Sequence, residues 1–383
     1  MKKNNHKLII IISVFMILSF MIFYVGHFLF FKKAQISDTQ SSQTTQNSQT
    51  STIKTSPVEY KRISGNIYGY RQEIFTLEFD PLDEQIEFKP VLSYDNLFGF
   101  EKISEICKRI GAYAAINAGF FYEYGDPVGM VAINGKVWMG SSGREPVLII
   151  DQNGASFTKM VSVMSFSVNG QKKYINKLNR TGNDGNIVLY STDYGSTNRA
   201  KIKNTSVRIE SNTVTSIIRE AFEVPLNKES YLISFFGKNS SLPNEMGIKV
   251  GDKLDIEIQP QIEGEYQAYE CGSMLVENGV SVAPDKDRWA GTLKNRDPRT
   301  AIGIKEDGRV VLIVVDGRQP GYSTGFTGEE LANYLISIGV KNAAMLDGGA
   351  TSQIFVDGTL KNKPSYRGME RPVAGAFIVK VKR

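Results

Sequence analysis

The sequence predicts an α+β domain. It would have a mixed β-sheet core containing a C-terminal βαβ unit, a β-rich middle segment and one preceding transmembrane helix. Three observations predict this. An apolar run fills residues 8–31, short alternating runs broken by Asn, Gly and Ser fill 157–262, and strand, helix and strand signals succeed one another over 309–349.

Residues 8–31 are almost unbroken Leu, Ile, Phe, Met and Val, long enough to span a bilayer with some tilt. Lys2, Lys3 and Lys7 precede the run, and Lys32 and Lys33 follow it, which mildly favours an inside N-terminus. The run is longer than a usual signal-peptide core, and no small-residue cleavage site follows. It reads as an uncleaved transmembrane signal anchor, with 1–7 as a cytoplasmic tail. A cleaved signal would leave the rest of the chain in the same outside location. Residues 32–56 are nearly all Ser, Thr and Gln, cannot bury a core and read as a disordered stalk. Residues 57–383 remain for the folded domain.

The net charge of +5 comes entirely from the lysines at the start, since the rest of the chain balances acid and base. A nucleic-acid-binding domain would carry a basic excess of its own, so nucleic acid is not an expected partner. The histidines narrow the chemistry further. The chain has two, His6 and His27, both in the N-terminal segment. That excludes a Ser-His-Asp or Cys-His arrangement and any imidazole-dependent zinc site in the domain. Carboxylates lead the candidates for acid–base work. Cys107 falls in a helical stretch, 100–110, as a core residue, and its spacing from Cys271 does not settle whether the two are bonded.

Along the domain, 112–116 reads as a short buried strand ending in Asn117, placed where an amide can face a ligand. Asn134-Gly135 is a two-residue hairpin turn. Arg299 begins another strand. The run 309–315 is continuous Val, Leu and Ile and ends in Asp316-Gly317-Arg318. A helix follows: Thr327 caps it, Glu330 completes a capping box, Leu331, Tyr334, Leu335 and Ile338 form its apolar face, and Gly339 stops it. A second apolar run, 343–346, ends in Asp347-Gly348-Gly349. Such a unit has parallel strands and a right-handed crossover. If the strands are neighbours, Asp316 and Asp347 leave one edge with backbones about 5 Å apart, the edge where open α/β sheets bind ligands. The small-residue turn of Gly348, Gly349, Thr351 and Ser352 could hold an anion, and Arg299, Arg318 and Arg371 are candidates for a clamp on phosphate or carboxylate.

Together these motifs resemble the phosphodiester glycosidase family. The matching pieces are Asn117-Ala-Gly-Phe-Phe121, Pro298-Arg-Thr-Ala-Ile-Gly303, Val315-Asp-Gly-Arg318, the stretch 325–332, Leu346-Asp-Gly-Gly349 and Glu370-Arg-Pro-Val373. The chain departs from the family pattern at Ala350, at Cys271-Gly272-Ser273 and at Tyr366. The resemblance implies one catalytic domain over 57–383 that cleaves a sugar's anomeric carbon from a phosphodiester oxygen in a cell-surface or exported glycan. It also implies that the arginines hold the phosphate, that Asp316 or Asp347 attacks or activates water, and that Glu370 serves as a reserve acid/base. No cofactor and no metal are expected, and the membrane is a partner through the N-terminal helix. Two competing readings are a non-catalytic module binding an anionic surface glycan and a metal-dependent phosphodiesterase built on Asp316, Asp347 and Glu370.

Overall fold

The strand that carries Asp316 is apolar along its whole length because it is packed on both faces. The structure, a computed structural model, describes residues 56–382. Its largest sheet contains β1 (Val58–Ile67), β2 (Tyr70–Phe79), β3 (Met274–Glu277), β4 (Val280–Ser281), β5 (Arg299–Lys305), β6 (Val310–Val315) and β7 (Val340–Met345). Every residue of β6 is buried. Val311, Ile313 and Val315 pack with Leu331 and Leu335 of the helix Gly328–Ser337 on one side. Val310, Leu312 and Val314 point the other way and meet Phe88, Ile116 and Phe377 of a facing sheet. Each such buried side chain contributes about 1.5–3 kcal/mol.

The facing sheet runs, in spatial order, Thr359–Leu360, Ile354–Val356, Ala114–Asn117, Gly375–Val381 and Ile86–Leu92. Its outer face is covered by the helix Ile103–Ile110 through Ile103, Ile106 and Cys107. The middle of the chain adds further small sheets, including the five-stranded one that holds Asn204–Glu210 and Ser230–Phe236.

Strands make up 46% of the described residues and helices 10%, so the fold is mostly β and the α+β expectation is overturned. The expected βαβ unit also fails in its pairing. The large sheet has the order β1-β2-β6-β5-β7-β3-β4, with β5 antiparallel to both β6 and β7. β6 and β7 therefore run the same way but lie two strand spacings apart, about 10 Å rather than 5 Å. A continuous apolar run reports burial on both faces. It carries no information on which strand lies alongside, and an antiparallel strand sandwiched between a helix and a sheet looks the same as a parallel one.

Local readings fared better. Thr327 Oγ1 accepts from the Glu330 amide at 3.1 Å while Glu330 Oε2 accepts from the Thr327 amide at 2.9 Å, a complete capping box. Gly339, at φ +89°, follows the last turn of that helix. Asn134 and Gly135, both at positive φ, join Val131–Ile133 to Lys136–Met139. Cys107 and Cys271 are both free and buried, and burial pushes the Cys107 thiol up to about 12. Among the described residues no helix is long and apolar enough to cross a membrane. The expected transmembrane helix over 8–31, the tail and nearly all of the stalk lie outside the described residues.

Candidate active site

The two strand ends singled out in the sequence leave the same edge of the large sheet and enter different surroundings. Asp316, directly after β6, is 1% exposed. Its Oδ1 accepts from Asn362 Nδ2 at 2.7 Å, and its Oδ2 accepts from the Lys363 amide at 2.8 Å and the Tyr322 hydroxyl at 3.2 Å. Burial raises its pKa to about 6. The Lys363 amide, Asn362 and Tyr322 pull against that rise, and the charge of Glu73 adds to it. Both oxygens accept hydrogen bonds from the protein, and the group is buried.

Asp347 follows the end of β7 and is only half-buried. Burial is again the main cause of a raised pKa, here to about 7. The Thr351 hydroxyl, the Arg371 charge and the Gly348 amide oppose the rise, and Asp287 reinforces it. The two aspartates therefore answer to different acidic neighbours, Glu73 for one and Asp287 for the other. The close pair that the sequence suggested is not formed, because β5 stands between the two strands.

The turn after Asp347 is held in one shape from several sides. Gly349 adopts φ +68°, and a Cβ there would stand 3.2 Å from Arg318 Nη1. A Cβ on Gly348 would stand 2.9 Å from the Pro298 carbonyl, while the Gly349 amide donates to that same carbonyl at 2.8 Å. The Thr351 hydroxyl donates to the Gly348 carbonyl at 2.7 Å, and Thr351 and Ser352 are buried. Asn117 is the post behind the turn. Its Nδ2 donates to the Asp347 carbonyl at 2.6 Å and the Ala118 carbonyl at 3.0 Å; its Oδ1 accepts from Thr300 Oγ1 at 3.0 Å and the Gln353 amide at 3.1 Å. That amide is committed inside the protein, so it fixes the loop and presents nothing to a ligand. Gln353 extends the support by donating to the Arg371 carbonyl at 2.9 Å and accepting from the Arg371 amide at 2.8 Å.

The three arginines separate in the same way. Arg299 is 3% exposed, with Nε donating to the Phe326 carbonyl at 2.9 Å and Nη2 to the Asn295 carbonyl at 2.7 Å; burial depresses its pKa. Arg318 is half-exposed. Its Nε donates to Asp297 Oδ1 at 2.7 Å and its guanidinium lies against Gly349. Arg371 is held by its backbone, and its charge acts on Asp347. Arg318 and Arg371 thus flank the turn, while Arg299 is built into the wall behind it. Glu370 is turned elsewhere: Oε1 accepts from the Ser104 amide at 2.9 Å and Oε2 from the Ser104 hydroxyl at 2.7 Å. A carboxylate there complements the N-terminal end of Ile103–Ile110.

Sequence reasoning missed Asp287, which is fully buried. Its Oδ1 accepts from the Trp289 and Ala290 amides at 2.7 Å each, and its Oδ2 from the Ser273 amide at 2.8 Å and hydroxyl at 2.7 Å. It lies in a two-residue strand, Lys286–Asp287, that nothing in the sequence distinguishes. Tyr322, Asn362 and Gln353 were missed for the same reason. Among the described residues no three His, Cys, Asp or Glu side chains converge to hold a metal.

The chain resembles the phosphodiester glycosidase family, and residues 200–380 match that family directly. Arg299, Asp316, Arg318, Asp347 and Arg371 fall inside the match, and Asn117 falls outside it. The SPbeta prophage-derived protein YomE of Bacillus subtilis (strain 168) is 35% identical over 117 residues, which is 30% of this chain and 18% of that protein. A Synechocystis protein of solved structure has a TM-score of 0.72 at 21% identity, covering 85% of this chain and 62% of its own. A Burkholderia pseudomallei K96243 protein, named as a candidate exported protein, has a TM-score of 0.68 at 20% identity, covering 82% of this chain and 74% of its own. These two likenesses describe the fold. This chain spans only part of the length of the Bacillus and Synechocystis proteins.

Proposed function

We propose that this chain is a hydrolase that splits the bond between a sugar's anomeric carbon and phosphate in a phosphodiester-linked glycan, with Asp347 as its working carboxylate. The observation that carries the reading is the state of Asp347. It is largely buried but not sealed beside a Gly-Gly turn, burial raises its pKa to about 7, the Arg371 charge acts on it, and Arg318 lies against Gly349 of that turn. A base with a pKa near the working pH is the one best suited to proton transfer. In the proposed step, Asp347 takes a proton from water as the water oxygen bonds to the anomeric carbon. The carbon–oxygen bond to phosphate breaks, and the phosphomonoester leaves with the bonding electrons. Arg318 and Arg371 hold its growing negative charge in fixed positions, so departure needs little protonation. Asp316 and Asn117 act by positioning, one holding 362–363 and the other the turn itself. The reading is supported by the family match over 200–380.

The location inferred for this activity is outside the cytoplasm, tethered through 8–31. Its support is the apolar run and its flanking lysines. Protease added to intact cells then removes the domain, and a domain that stays protected overturns the location. For the reaction, the purified chain is incubated with a panel of sugar-1-phosphodiesters and both products are identified. The expected result is free sugar plus a phosphomonoester. Sugar phosphate as the product would replace this reading with a phosphodiesterase, and loss of activity in a strong chelator would make that enzyme metal-dependent. Binding without any turnover would leave only a glycan-binding module.

A further inference from the structure

A cavity of about 320 Å³ lies beside this site, lined in part by Tyr122, Ser142, Arg180, Glu270, Arg288 and Trp289. Two strands of chain join it to the Asp347 turn. Glu270 ends the strand Gln267–Glu270 and leads through Cys271 to Gly272, whose amide donates to the Met345 carbonyl of β7 at 2.7 Å. Trp289 is fixed by its amide to Asp287, the carboxylate whose charge reaches Asp347.

The lining is unusual in one respect. Glu270 is 5% exposed, yet only Oε2 has a protein partner, the Met130 amide at 2.9 Å. Oε1 has none among the described residues and is not closed off from solvent, so it stays free to accept a hydrogen bond. Gly129 lies so close to Glu270 that a Cβ would stand 2.4 Å from the Glu270 Cβ, which keeps the side chain in place. Arg180 is pinned by the Pro127 and Val128 carbonyls at 3.1 and 2.7 Å, so it does not close on Glu270. Across the mouth, Tyr122 and Trp289 meet edge to face with centroids 6.0 Å apart, and Tyr122 is 45% exposed.

A carboxylate oxygen without a protein partner, beside one exposed and one partly exposed aromatic ring, suits a pyranose. Its ring C–H face stacks on an aromatic while adjacent hydroxyls donate to a carboxylate. We infer that this cavity is a sugar-binding subsite that seats one pyranose unit of the glycan, with Glu270 Oε1 accepting from its hydroxyls and Trp289 or Tyr122 against its face. The inference extends the hydrolase reading by giving the substrate a second point of attachment, and it rests on that reading only for the identity of the glycan.

Two measurements keep the two claims distinguishable. The first titrates the Trp138→Phe chain, in which Trp289 is the remaining tryptophan, with the methyl pyranosides of glucose, galactose and mannose, using glycerol as control. The reporters are tryptophan fluorescence and saturation-transfer NMR. At least one pyranoside is expected to bind saturably, glycerol is not, and Glu270→Gln is expected to weaken that binding about tenfold or more. That variant keeps an acceptor for the Met130 amide, so an unchanged thermal melt certifies its fold. No saturable binding, or binding indifferent to Glu270→Gln, overturns the subsite. The second measurement is turnover of a sugar-1-phosphodiester by Glu270→Gln. A raised KM with kcat kept supports the subsite, and an unchanged KM removes it while the hydrolase reading stands. Pyranoside binding without turnover of any phosphodiester leaves the subsite and removes the hydrolase.

Discussion

Asp316-Gly317 and Asp347-Gly348 are the same dipeptide at the same edge of one sheet, and they sit in different surroundings. Asp316 is held by Asn362, the Lys363 amide and Tyr322, whereas Asp347 is partly exposed and feels the charge of Arg371. Both are shifted mainly by burial, to about 6 and about 7. The difference lies in how their oxygens are used. A fully buried carboxylate held by several donors orders the chain around it, and a partly exposed one can also move a proton. A strand-terminal aspartate is therefore an ambiguous signal until its donors are known.

Substitutions at four positions break or sharpen that contrast. The largest effect is expected from Arg371→Ala, which removes a fixed charge beside Asp347 and should lower kcat/KM on a sugar-1-phosphodiester by about 10²–10³-fold. Arg371→Lys should recover only part, because the planar fork is lost. Next comes Asp316→Ala, which strands the buried donors of Asn362 and Lys363 and should cost about 2–4 kcal/mol, read as a lowered urea midpoint. If that midpoint is unchanged, Asp316 is not the internal brace described above.

The pH dependence follows from the direction of the shifts. The folded-state pKa of Asp347 lies above its unfolded value, so the folded protein holds the proton more tightly. Its contribution to stability is full below about pH 4 and is lost as pH rises through about 7. Asp347→Asn should match the parent at pH 4 and become more stable than it by about 1–3 kcal/mol at pH 8, in urea unfolding at both pH values. A constant difference across that range would mean the carboxyl is not shifted. The smallest effect is expected from Thr327→Ala, which deletes one half of the capping box and should cost about 1 kcal/mol with kcat untouched.

How much of this was legible in the sequence depended on the range of the interaction. The capping box of Thr327 and Glu330, the Asn134-Gly135 turn and the strands on either side of the Gly328–Ser337 helix are set by contacts within a few residues, and the residue types show them. Strand order is set by distant partners. The 299–305 segment was visible as a strand, but nothing in it says that it slots between β6 and β7 and converts a parallel pair into an antiparallel run. The site shows the same limit. The motif pointed to Asp347, its turn and the nearby arginines, but not to how each is held. That Asn117 spends its amide on the Asp347 carbonyl, that Glu370 faces Ser104, and that Asp287 lies behind the turn all depend on chain segments far apart in sequence.

The most direct test of the account compares Asp347→Asn with Asp316→Asn in one assay, measuring kcat on a sugar-1-phosphodiester with both proteins held at a temperature where each is folded. The account predicts a fall of about 10²–10⁴-fold for Asp347→Asn and less than about tenfold for Asp316→Asn. The reverse order, or equal losses from the two, would contradict the assignment of the chemistry to Asp347.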